Sequence, residues 1–173
     1  MRWMSSLGGP LLVLPERAIG SWSGSFGPEG EDTVEEDDTD YWRLCSSLTG
    51  DVWVWPTEDV EGLAFDEGRS PMTFFPEVGV FVQARSSLVV TDAVVRSVVA
   101  GGLDWRDVGR WRCVGACLMF DASAYGPRLS GEDVLEIAVE PAEYVVSTAA
   151  WFASSPQRFP DLLLTRLSRQ HSI

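Results

Sequence analysis

The chain has 173 residues, 45% of them hydrophobic, with eight Trp and eight Phe. That length suits one domain or two small ones, and the composition excludes disorder along the whole chain. A net charge of −13 sets the chain against nucleic acid and anionic membrane surfaces and toward basic partners.

The charge is unevenly placed. Residues 29–40 read Glu-Gly-Glu-Asp-Thr-Val-Glu-Glu-Asp-Asp-Thr-Asp, eight acids among twelve residues with no base. The rest of the chain carries 18 acids against 13 bases, a net of −5. At the N-terminus, no seven-residue apolar core precedes Gly8-Gly9-Pro10, so no secretory leader is expected. No stretch approaches the roughly 20 apolar residues that span a bilayer. The three cysteines, Cys45, Cys113 and Cys117, are therefore expected to be reduced thiols of a cytoplasmic protein.

In chain order, Leu11-Leu12-Val13-Leu14 lies between Gly-Gly-Pro and Pro15 and predicts a short buried strand. Residues 20–30 are rich in Gly and Ser and run into the acidic segment, which predicts a long loop. Tyr41 to Leu48 is ambiguous and fits a short helical turn. Val52-Trp53-Val54-Trp55, closed by Pro56, and Gly62-Leu63-Ala64-Phe65 have strand composition. Thr73-Phe74-Phe75 and Val78 to Gln83 predict two more strands around a turn at Pro76.

One helix is expected between Ser87 and Ala100. Val94, Val95, Val98 and Val99 follow a period of about 3.6 residues. Thr91 or Ser87 supplies its cap, Asp92 suits its first turn, and Gly101-Gly102 its stop. Trp111 to Phe120 reads as one strand. Residues 134–139 alternate, with Leu135, Ile137 and Val139 as the apolar face, and predict a half-buried strand. After Pro141, Tyr144 to Phe152 completes what reads as an antiparallel hairpin. Leu162 to Leu167 predicts a last strand.

These elements predict a mainly β protein, α+β with few helices. Antiparallel sheets carry one helix near 88–100, in a single domain over 1–173 with an acidic loop at about 25–40.

Little in the chain points to catalysis. His171, the single histidine, stands near the C-terminus, where chains usually fray. A zinc site needs four ligands, which Cys113 and Cys117 do not supply, and small buried thiols are the expected reading of both. The acidic run lacks the alternating ligands, central Gly and terminal Glu of a calcium loop. No metal, cofactor or catalytic residue is predicted. A solvated loop that aids solubility is the plainer reading of the run. Its charge density, with Tyr41 and Trp42 at its end, points instead to a contact for a basic partner.

Two local signatures remain, Trp22-Ser23-Gly24 and Tyr41-x-x-x-Cys45. Trp22 can anchor a loop, Gly24 can supply a backbone turn, and Tyr41 and Cys45 share a face if helical. With the opening Trp3…Ser6-Leu7-Gly8-Gly9-Pro10-Leu11-Leu12-Val13-Leu14-Pro15, they resemble the twenty-first immunity-protein family of bacterial polymorphic toxin systems, marked by WxG and YxxxC motifs. The resemblance continues through Gly62 to Phe65 and Pro76 to Val82, with a looser echo at Phe120-Asp121 and around Tyr144. It implies a mostly β fold, no enzyme activity, and stoichiometric binding that neutralises a cognate toxin domain. Trp22, Gly24, Tyr41 and Cys45 match the motif positions. The long acidic insert between the motifs departs from the family pattern.

On this reading the toxin is basic, Glu35, Glu36, Asp37, Asp38 and Asp40 steer it, and Tyr41 and Trp42 anchor it. Two other readings stay open: a general acidic interaction module with no toxin partner, and a small carboxylate-based enzyme or ligand-binding domain.

Overall fold

The computed structural model describes residues 2–6, 8–26, 39–57, 60–66, 70–153 and 160–170. The strands are β1 (Leu11–Pro15), β2 (Val52–Pro56), β3 (Glu61–Phe65), β4 (Met72–Phe75), β5 (Val80–Ala84), β6 (Arg106–Cys113), β7 (Cys117–Asp121), β8 (Leu135–Ile137), β9 (Ala142–Trp151) and β10 (Leu162–Arg169). The α-helices are α1 (Glu16–Ile19), α2 (Asp40–Ser47) and α3 (Asp92–Ala100). The strands form two five-stranded sheets, ordered β2-β3-β1-β7-β8 and β4-β5-β10-β9-β6. Every pairing is antiparallel, so the fold is mainly β as expected.

Alternation along the strands sorts side chains into layers. Leu11, Val13, Leu63 and Phe65 of the first sheet share one apolar cluster with Phe81, Trp111, Tyr144, Val146 and Leu167 of the second. The rings of Phe65 and Phe81 meet across it, 4.9 Å between centroids. On the far side of the first sheet, Leu12, Leu14, Ala64 and Phe120 pack with Ile19, Trp22 and Leu44, which brings α1 and α2 over that face. On the far side of the second, Val80, Val82, Leu162 and Leu164 pack with Val95 and Val98 of α3. The apolar run of β1 follows from this arrangement, because its alternate residues enter two different cores.

Several expectations hold in detail. α3 begins when the Thr91 Oγ1 accepts from Val94 N–H at 3.3 Å, and it stops where Gly101 N–H bonds back to Ser97 and Val98. Residues 88–90 precede the cap, and Val89 is 78% exposed. Leu135 and Ile137 face the shared core as the alternation predicts. Residues 41–48, ambiguous by pattern, belong to α2 up to Ser47.

Two expectations are overturned. Residues 111–120 are not one strand: the run breaks at Val114–Ala116, leaving β6 in the second sheet and β7 in the first. Nor do residues 134–139 and 144–152 pair as a hairpin. β8 lies beside β7, whereas β9 lies between β10 and β6. In both places the chain crosses from one sheet to the other, and an apolar period of two reads the same on either side of such a crossing. At the second crossing the Tyr144 hydroxyl donates to Glu140 O at 2.9 Å, which fixes the corner before β9. The start of β6, Arg106 to Arg110, escaped the reading because it is largely exposed and polar.

Trp111 ties the layers together: fully buried, it donates from Nε1 to Glu61 O at 3.0 Å. Replacing it with Ala is expected to lower stability by about 3–5 kcal/mol, whereas Thr91→Ala should cost only about 1 kcal/mol. Urea denaturation of both variants checks the contrast.

Candidate functional site

The WSG turn and the first turn of α2 are built as one unit. Trp22 is buried with its ring edge against Phe120, 6.3 Å between centroids, and its Nε1 donates to Ala122 O at 2.9 Å. Gly24 has φ +63°, and a Cβ there would stand 2.3 Å from Ala124 O, so both conformation and space demand glycine. Its carbonyl accepts from Tyr41 N–H at 3.0 Å.

Between Trp22 and Gly24, Ser23 clasps Asp40. Ser23 N–H and Oγ–H both donate to Asp40 Oδ2, at 2.8 and 3.0 Å. Asp40 N–H in turn lies 3.0 Å from Ser23 Oγ. Thr39, itself buried, caps α2 by accepting from Trp42 N–H at 3.3 Å. A carboxylate in the first turn also suits the positive end of a helix.

One face of α2 turns inward. Leu44 enters the core outside the first sheet. The Tyr41 ring lies against Gly9, where a Cβ would stand 2.7 Å from the Tyr41 hydroxyl. Burial first, then neighbouring Cys45, push the Tyr41 hydroxyl up to about 12. Burial likewise pushes the Cys45 thiol up, against a lowering hydrogen bond with Tyr41. The other face carries Trp42, 36% exposed, with its ring edge on Tyr41 at 5.3 Å.

Beside this unit opens a cleft of about 920 Å³, lined by buried Leu14 and Trp22, by Trp55 at the end of β2, and by Arg17, Asp40 and Arg43. Arg43 Nη1 stands 3.5 Å from Asp40 Oδ1. Among the described residues, Asp40 is the one acid in the lining.

Of the residues predicted to meet a partner, Asp40, Tyr41 and Trp42 come together on α2. Glu35, Glu36, Asp37 and Asp38 lie outside the described residues. All four motif positions, Trp22, Gly24, Tyr41 and Cys45, fall in this one unit. Sequence reasoning missed Ser23 and Thr39 as its fasteners, although a Thr-Asp pair before an apolar helix face is a recognisable start signal. It also missed Arg17 and Arg43, which only the approach of α1 to α2 brings to one cleft. Among the described residues no group of three or more His, Cys, Asp or Glu could hold a metal.

Two outcomes follow from this geometry. Gly24→Ala should destabilise the fold by at least the roughly 1–3 kcal/mol of a strained backbone position, read by thermal unfolding. The second outcome concerns pH. Unfolded, Tyr41 ionises near 10, and folded near 12. The folded chain therefore holds this proton more tightly. That stabilising contribution is fully present below pH 10 and is lost as pH rises toward 12. Stability measured from pH 9 to 12 should fall less steeply in Tyr41→Phe than in the parent.

A family model described as Immunity protein 21 matches residues 2–157. No curated protein and no solved structure matches the chain. No helix among the described residues is long and apolar enough to cross a membrane. The matched span holds the WSG turn, all of α2 and every strand except β10; the chain belongs to the Immunity protein 21 family.

Proposed function

We propose that the chain is an immunity protein that binds a cognate toxin domain in the cytoplasm and neutralises it by stoichiometric association, without chemistry of its own. The family match over residues 2–157 carries this reading. The toxin surface it meets is basic, a complement to the eight acids of residues 29–40.

The contact divides between two kinds of residue. Glu35, Glu36, Asp37 and Asp38 steer the encounter through long-range attraction, which acts on association rate and weakens with salt. Trp42, exposed on α2, supplies the apolar anchor that slows dissociation. Asp40 and Tyr41 act beneath them. The first is clasped by Ser23 and the second rests on Gly9, so both hold α2 in the orientation that presents Trp42.

Capture from the native cell at low salt, followed by washes of rising ionic strength, tests the reading. A basic protein should be retained whose toxicity an equimolar amount of the chain abolishes. With that partner purified, reversing Glu35, Glu36, Asp37 and Asp38 to Lys should slow association about tenfold or more at low salt and flatten its salt dependence. Trp42→Ala should leave association nearly unchanged and speed dissociation, a loss of about 2 kcal/mol. Retention of partners with no toxicity to neutralise would favour a general acidic interaction module instead.

A further inference from the structure

Cys113 closes β6 in one sheet and Cys117 opens β7 in the other, four residues on. The register places Cys113 opposite Ala142 and Cys117 opposite Ile137. Their Sγ atoms are 3.7 Å apart and both thiols are at most 2% exposed. Each Sγ also lies near Gly115 O, at 3.2 and 3.3 Å. A disulfide bond is about 2.05 Å long, so a small movement of two facing side chains would close one.

The surroundings favour reaction over inert packing. The hydrogen bond with Cys117 holds the Cys113 thiol at about 7, below the ordinary thiol value of 9.0. The same bond and burial push Cys117 up. One sulfur is thus the better nucleophile and the other keeps the proton, the division a resolving pair requires. Between them, Val114 and Gly115 are half-buried and Ala116 is exposed. Apart from its chain neighbours, no atom of the described residues lies within 4 Å of where a Gly115 Cβ would be. Both sulfurs sit in the core between the sheets, and this partly exposed connection is the route by which a small oxidant would reach them. Cys45 is the internal contrast, half-buried on α2 with its thiol pushed up by burial.

We propose that Cys113 and Cys117 form a redox-active dithiol that a hydroperoxide converts to a disulfide between the two sheets. The Cys113 thiolate attacks one peroxide oxygen and the O–O bond breaks. Cys113 becomes a sulfenic acid, and the second oxygen leaves as water or an alcohol after taking up a proton. Cys117 then gives up its proton and attacks the sulfenic sulfur. The S–S bond forms, the S–O bond breaks, and hydroxide leaves with that proton as water. Two thiols lose two electrons in total, and the peroxide gains them.

The experiment treats the reduced full-length chain with excess hydrogen peroxide, then unfolds and alkylates it and maps the tryptic peptides. Arg112 and Arg128 release both sulfurs on one peptide, residues 113–128. That peptide should lose the mass of two hydrogens and refuse alkylation at both cysteines, while Cys45 is still alkylated. A phosphine reductant should restore both sites. In Cys117→Ser the reaction should halt at Cys113 sulfenic acid, trapped by a 1,3-diketone, and in Cys113→Ser residue 117 should stay unlabelled. Full alkylation of both sulfurs after a treatment that oxidises glutathione overturns the proposal, as does pairing of either sulfur with Cys45. The map of the parent chain decides the matter even if a variant fails to fold.

Discussion

β1 is buried on both of its faces, and much of the structure is an accommodation to that constraint. Leu11 and Val13 enter the core between the sheets, while Leu12 and Leu14 enter the core outside the first sheet. A central strand of this kind cannot leave either side of its sheet to water without exposing a continuous apolar band. The second sheet covers one side. The other needs a lid, and the chain provides it with Ile19 of α1, Trp22 of the WSG turn and Leu44 of α2. Both lid helices are short, at four and eight residues, below the length at which helices persist alone in water. They depend on being fastened, and the clasp of Ser23 on Asp40 with the Thr39 cap is the fastening.

That dependence gives the family motif a physical meaning. Trp22 fills the lid core, Gly24 permits the backbone to pass Ala124, and Tyr41 meets Gly24 through its amide and Gly9 through its ring. None of these groups can turn toward a partner without giving up a contact that closes the lid. Specificity for one toxin over another would then reside in residues that the fold does not use. Trp42 is such a residue on α2 itself, since its ring lies on Tyr41 but more than a third of it faces solvent.

The legible parts of the fold were those governed by local rules. The four apolar residues of β1, the Thr91 cap and Gly101 stop of α3, and the alternation around Ile137 each state their structure in adjacent residues. The crossings were illegible for a physical reason: a strand's period of two does not say which sheet the strand joins. Hence Trp111 to Phe120 read as one strand although Gly115 divides it between two sheets. At the site, Tyr41 and Trp42 stood out by composition, and Trp22 and Gly24 by resemblance. Ser23 bonding to Asp40, 17 residues away, had no local signature, because a hydrogen bond between distant segments exists only after the fold brings them together. The two facing thiols are the same kind of case, since reading them on a single strand hid the fact that each belongs to a different sheet.

The placement of charge is the remaining constraint. A net of −13 spread evenly over a small fold would oppose its compact state through self-repulsion. Here eight of the acids stand in one run of twelve residues, and the rest of the chain, at −5, is close to ordinary. The described residues that flank the run are tied together, Gly24 O accepting from Tyr41 N–H. The lid therefore holds the base of the run whatever the run itself contacts. A change at Ser23 or Asp40 is felt at the base of the run and in the lid alike. Asp40, last acid of the run and first residue of α2, is the point where the two demands meet.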